Sequence, residues 1–183
     1  MSQDIISTEL TAGTWNVDPT HSEVAFTVRH LMSKVRGTFS DFSAEITTTS
    51  GDPADSSVAA TVQLSSISTN NAQRDGHIKS ADFFDPEKGA EMTFVSTGIT
   101  ENDGDYVISG DLTINGTTKP VDLAAEYLGV AVDAYGATRL GVEATTSINR
   151  KDFHVDFNVP LDGGKFLIGD KVDITLTIQA TQA

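Results

Sequence analysis

The chain has 183 residues with 26 Asp plus Glu against 12 Lys plus Arg, a formal net charge of -14, no Cys and 38% apolar residues. That size indicates one domain with room for a sizeable core. The charge argues against nucleic acid, whose phosphates supply most non-specific affinity, and against adsorption to anionic membranes; the absence of Cys removes disulfides and thiol chemistry.

In chain order, residues 1–13 read as a flexible lead-in, with neither the cationic start nor the apolar run of a secretory signal, so a cytoplasmic protein is expected. No apolar stretch approaches the roughly 20 residues that span a bilayer. From residue 21 onward, period-two alternation dominates. "SEVAFTVR" sets Val24, Phe26 and Val28 against Glu23, Thr27 and Arg29. Strands are expected near 21–30, 35–48, 57–67, 90–100, 105–115, 117–131, 137–149 and 169–181. Phe39 and Phe42 are three apart, so the apolar face changes phase within the second strand, which predicts a bulge there. "NNAQRDGHIKSADFF" is the one helical stretch, with Asn70 or Asn71 as N-cap. "EMTFVSTGI" is apolar on both faces, Met92 and Phe94 on one and Val95 and Ile99 on the other. Asp103-Gly104 and Asn115-Gly116 are two-residue hairpin signals, because a type I′ turn needs positive φ at both central positions. "KVDITLTIQAT" closes the chain with Val172, Ile174, Leu176, Ile178 and Ala180 on one face. Eight antiparallel strands can close into a barrel or split into a sandwich. Strands of about ten residues favour an extended eight-stranded barrel, all-β apart from the one short helical segment.

A search for catalytic motifs returns no G-x-S-x-G, H-E-x-x-H, phosphate loop or G-x-G-x-x-G. The four His, at 21, 30, 77 and 154, form no local metal motif, and no cofactor is expected. Asp18, His21 and Ser22 are close together, but Asp and Ser favour turns for backbone hydrogen bonding.

The cations carry more. In "VRHLMSKVRGTF", an acidic chain places Arg29, His30, Lys34 and Arg36 among apolar side chains. Arg74 with Lys79, and Arg150 with Lys151, make two similar clusters, each accompanied by His and Phe. One reading is that loops are polar and these cations pair with the abundant carboxylates. The other is that the segments meet at a barrel mouth. There Arg29, His30, Arg74, His77 and Arg150 would form a cationic rim for a polar head group, Arg being suited to phosphate by its planar fork. Phe26, Val28, Phe39, Phe42, Met92 and Phe94 are then the expected walls for a hydrocarbon tail. At about 0.8 kcal/mol per buried methylene, ten methylenes would supply roughly 8 kcal/mol before costs.

Four stretches, "WNVDPTHSEVAFTVRHLMSKVRGTFSDFSAEI", "SISTNNAQRDGHIKSADFFD", "GDLTINGTTKPVDL" and "INRKDFHVDF", resemble the YceI-like family in order along nearly the whole chain. The matching polar residues are His21, Ser22, His30, Arg74, Asp75, His77, Asn149, Arg150 and Asp152. The resemblance implies a lipocalin-like barrel whose lumen holds a prenyl or acyl chain, without enzymatic chemistry, and it implies that many relatives are exported. The expected function is therefore non-catalytic carriage or sequestration of a long-chain amphiphile of isoprenoid, quinone or fatty-acyl type. The alternative is an enzyme acting on an amphiphilic ester or amide with His21 or His30 as base. A third reading is a barrel filled by its own side chains that serves as an interaction module. Phe83 and Phe84 in "ADFFD" make a homodimer a further expectation.

Overall fold

The computed structural model describes residues 7–183. Twelve strands join one antiparallel sheet: β1 (Ser7–Thr8), β2 (Gly13–Val17), β3 (Glu23–His30), β4 (Ser33–Phe39), β5 (Phe42–Thr48), β6 (Ser57–Gln63), β7 (Ile67–Ser68), β8 (Glu91–Asn102), β9 (Asp105–Ile114), β10 (Thr117–Val132), β11 (Thr138–Asn149) and β12 (Ile168–Gln182). The helix α1 (Ala72–Ile78) lies between β7 and β8, with the Asn71 side chain accepting from the Arg74 amide as its N-cap. Among the described residues no helix is long and apolar enough to cross a membrane.

Eight of the strands close a ring in the order β2, β5, β6, β8, β9, β10, β11, β12. Closure is made where β12 meets β2, Ala180 opposite Val17, and β2 meets β5, Trp15 opposite Ile46. The barrel is the all-β, eight-stranded, antiparallel one expected. Farther along the same edge, β12 also pairs with β3, and β3 with β4, so this hairpin extends the wall at one end. Alternation decides which residues enter: Ile174, Leu176 and Ile178 face the lumen, while Asp173, Thr175 and Thr177 lie on the opposite face of β12.

Three details differ from the sequence reading. The expected strand over 35–48 is two strands separated by Ser40 and Asp41, so the phase change from Phe39 to Phe42 is a break rather than a bulge. β4 leaves the ring there and pairs with β7 through Thr38 and Phe39. Bulges occur elsewhere, between Ser96 and Gly98 on β8 and between Tyr127 and Gly129 on β10. Each switches the inward phase by one residue. Ile99 therefore lines the lumen with Phe94 instead of opposing it, while Val95 stays outside.

The expected strands also omitted β2. Of the lead-in over 1–13, residues 1–6 lie outside the described residues, Ser7 and Thr8 pair with Ala131 and Val130, and Leu10 is buried. Trp15 is the largest fully buried side chain, and its indole donates to Thr48 Oγ1 at 3.0 Å. The predicted turns at Asp103-Gly104 and Asn115-Gly116 join β8 to β9 and β9 to β10, all four residues at positive φ.

Candidate functional site

A cavity of about 200 Å³ lies inside the barrel. On the same measure a single water needs about 10–15 Å³, so the barrel is hollow and not filled by its own side chains. A twelve-residue strand rising about 3.3 Å per residue and tilted about 40° makes a wall roughly 30 Å tall. The cavity lies within that wall.

Its walls come from inward positions of every ring strand, including Phe42, Met92, Phe94, Leu123, Leu140 and Leu176. The lining is almost wholly apolar; the lining residues that carry a side-chain hydroxyl are Ser43, Thr48, Ser56, Thr93, Thr146, Tyr106 and Tyr127. Among the described residues, no Lys, Arg, His, Asp or Glu lines the cavity. Burial pushes the pKa of both phenols above the ordinary value. At Tyr106 the negative charges of Glu101 and Asp52 add to this, and at Tyr127 the neighbouring Tyr106 does so. Both phenols are neutral hydrogen-bond donors at physiological pH.

One end of the barrel is plugged. Phe153 and Val155 pack on Leu112 and Ile114, with Phe83, Phe84 and Ile148 around them. Asn115 holds this plug: its side-chain amide donates to the carbonyls of Phe83 (2.7 Å) and Phe153 (3.3 Å), and its oxygen accepts from the Asp85 amide. Pro53, Ser56, Ile99 and Tyr106 belong to the opposite end of the lining.

The three cationic segments converge at the plugged end, but their charged groups do not face the lumen. Arg150 is 4% exposed and donates to the carbonyls of Gly169, Val155, Phe157 and Ile168, leaving no free fork for a ligand. Burial lowers its pKa, with Asp170 and Asp156 opposing. Arg74 donates to the Thr69 hydroxyl and carbonyl, and Asp75 accepts from the amide and hydroxyl of the same residue. His77 lies 2.8 Å from an Asp82 oxygen, edge-on to Phe83 and Phe157. Arg29 is on the outer face of β3 and is exposed; His30 shares the face of Phe26. Arg74, His77 and Arg150 thus spend their side-chain bonds on bracing loops.

Of the expected wall residues, Phe42, Met92 and Phe94 line the cavity. Phe26 and Phe39 do not. Their rings are 5.7 Å apart, and Phe39 lies 6.4 Å from Phe84, so they continue the aromatic packing at the plug. Val28, opposite Val35 and Val172, sits farther out on the extension. The cause is the break after Phe39, which takes β4 out of the ring. Tyr106, Tyr127 and Leu123 went unnamed in the sequence reading although their strands were recognised. The alternation in "YVISGDLTI" and "VDLAAEYLG" carried the signal.

Asp18, His21 and Ser22 form a clamp. Asp18 accepts from the Thr20 amide and from Arg139 Nη1 (2.9 Å), and it lies 2.7 Å from His21 Nδ1. Arg139 in turn donates to Asp133 at 2.7 Å. Ser22 Oγ donates to the Gln179 carbonyl and accepts from its amide, so its recorded bonds are to backbone and not to His21.

A closed eight-stranded antiparallel barrel with an uncharged lining among the described residues and one plugged end defines a lipocalin-like architecture. The YceI-like domain model matches residues 15–180, and the chain belongs to that family. Protein YceI of Escherichia coli is 39% identical over 163 residues, 88% of this chain and 82% of that protein. Among solved structures, BcnA of Burkholderia cenocepacia superposes with a TM-score of 0.78 at 24% identity, over 90% of this chain and 99% of that one. A polyisoprenoid binding domain from Saccharophagus degradans, described as implicated in plant cell wall breakdown, does so at 0.67 and 15% identity, over 94% and 99%. At those identities the two structures speak for the fold.

Proposed function

We propose that the protein binds a long-chain amphiphile, of polyisoprenoid type, in the barrel lumen without chemical turnover, as a carrier or sequestering protein. Support comes from the family, from the Saccharophagus neighbour, a polyisoprenoid binding domain, and above all from one observation: the lumen is hollow and, among the described residues, lined without a charged side chain. A hydrocarbon chain gains about 25 cal/mol per Å² on entering such a space. A phosphate would have no cation to meet there and would be strongly penalised. The head group is therefore uncharged, a quinone, alcohol or amide that accepts a hydrogen bond from Tyr106 or Tyr127. Arg74 and Arg150, bonded to the protein itself, are loop braces in this reading. The Asp18–His21–Ser22 arrangement favours structure over hydrolysis, since Ser22 is bonded to Gln179.

The test is a titration series with one prenyl tail and three ends: alcohol, quinone and diphosphate. Tighter binding of the uncharged pair is expected, on the order of tenfold or more, with little salt dependence. A clear preference for the diphosphate would overturn the head-group assignment, and failure of all three would overturn the carrier reading.

A further inference from the structure

The turn joining β3 to β4 contradicts ordinary turn chemistry. His30 pairs with Ser33, leaving a two-residue loop, Leu31-Met32. Such loops favour Asn, Asp or Gly, because positive φ is required, and the other two-residue hairpins here use Asp-Gly and Asn-Gly. Leu31 nevertheless adopts φ of 56° and is 56% exposed, while Met32 is 90% exposed. A bulky apolar residue in that conformation is unfavourable and loses solubility as well, which points to use of the tip.

The tip does not stand alone. The Leu31 amide donates to the Leu167 carbonyl (2.8 Å), and Leu167 donates to Val159 (3.0 Å), which puts the 158–168 loop beside it. That loop adds Phe166, 58% exposed, with Lys151 Nζ 5.8 Å from its ring centre. Arg29 Nη1 donates to the Met32 carbonyl. Around this apolar knob six of the twelve Lys and Arg are exposed, Arg29, Lys34, Arg36, Lys151, Lys165 and Lys171; Arg36 pairs with Glu23, Lys151 with Asp170 (3.3 Å) and Lys171 with Asp173 (3.5 Å), which leaves Arg29, Lys34 and Lys165 without a carboxylate partner among the described residues. Segments 28–39 and 150–171 hold four acidic residues between them.

We propose that the β3–β4 tip, with Phe166, is a docking surface for a bilayer carrying anionic head groups: Leu31, Met32 and Phe166 enter the interface while the flanking cations contact phosphates. The net charge of -14 does not oppose this. The Debye length is about 8–10 Å at physiological salt, whereas the acidic β8–β9 turn, with Glu101, Asp103 and Asp105, is at the other end of strands tens of Å long. Within that length the charges that act at the tip are local, and Arg29, Lys34 and Lys165 are the ones left to meet a phosphate. The surface is separate from the lumen, so it stands or falls independently of the bound ligand.

The experiment is co-sedimentation of the full chain with phosphatidylcholine vesicles, with and without phosphatidylglycerol, at low and high salt. Binding to the anionic vesicles that weakens with salt is expected. The double substitution L31N/M32G puts Asn, which tolerates positive φ, at the strained position 31 and a permissive Gly at 32, so thermal stability should hold while vesicle binding falls by about tenfold or more. R29E/K34E should lose binding at low salt. Replacing the similarly exposed apolar residues of the opposite end, V132T/Y135S, should change nothing. Absence of binding, equal binding to pure phosphatidylcholine, or full binding by L31N/M32G would overturn the proposal. A concentration-dependent dimer abolished by L31N/M32G would assign the tip to a second copy of the chain instead, and would also overturn it.

Discussion

At the scale of single residues, close approach explains positions that composition hides. A methyl group added at Gly110 would sit 2.4 Å from Phe94 Cζ and 2.6 Å from the Val95 carbonyl oxygen. Phe94 lines the lumen, so its ring lies across the β9 backbone because that position has no side chain. Gly110→Ala should cost about 1–3 kcal/mol in urea unfolding and weaken ligand binding by displacing Phe94. Gly98→Ala, with nothing within 4 Å, is the control and should be neutral or slightly stabilising. Equal stability of the two variants would show that Phe94 yields freely. Gly37 stands in the same relation to Phe26, whose Cζ would be 2.3 Å from an added Cβ. An isolated Gly within an alternating strand signals close approach in general, but which ring approaches is a matter of cross-strand register, and register is set by partners far away in sequence.

At the scale of elements, turns and caps act on more than their own strands. Asn115 was legible as a hairpin residue; its role in holding both plug segments was not, because Phe83 and Phe153 come from distant parts of the chain. Asn115→Gly keeps the positive φ and removes the three side-chain bonds. It should cost about 2–4 kcal/mol and speed ligand release, read in thermal unfolding and stopped-flow displacement. A variant of unchanged stability would mean the plug needs no tether.

The Asp18 clamp joins the β2–β3 connection to the β10–β11 hairpin. The Arg139 guanidinium first, and His21 second, hold the Asp18 carboxyl down at about 2, and Asp133 is lowered chiefly by Arg139 as well. A depressed carboxylate stabilises the fold above its unfolded value of about 3.9 and loses that contribution as pH falls toward 2. Asp18→Asn should therefore be less stable than the parent at pH 6, by on the order of 1–2 kcal/mol after solvent screening. The gap should close as denaturation is repeated down to about pH 3. A gap constant with pH would remove the charge from the explanation.

At the scale of the whole molecule, hairpin turns, helix and barrel were readable, because alternation and Asn-Gly or Asp-Gly turns are local signals. The break at Ser40–Asp41 and the two phase-switching bulges were not, since they depend on which strand lies opposite. The site divided in the same way. Phe42, Met92 and Phe94, expected as walls from pattern, do line the cavity, whereas the cationic clusters were recognised as gathering but their direction was not. An Arg that grips four carbonyls, as Arg150 does, looks in sequence like an Arg awaiting a phosphate.

The seam between β2 and β12 has a consequence for biosynthesis. The ring is sealed by Ala180 opposite Val17, and the Ala183 amide reaches the Thr14 carbonyl at 2.8 Å. Pairing between residues so remote raises contact order and makes closure slow. While the ribosome is still adding β12, the earlier strands can form only an open trough whose greasy concave face meets solvent. Chaperones would have to shield that trough until the final strand emerges, and a nascent chain stalled before Ile168 would be prone to aggregation.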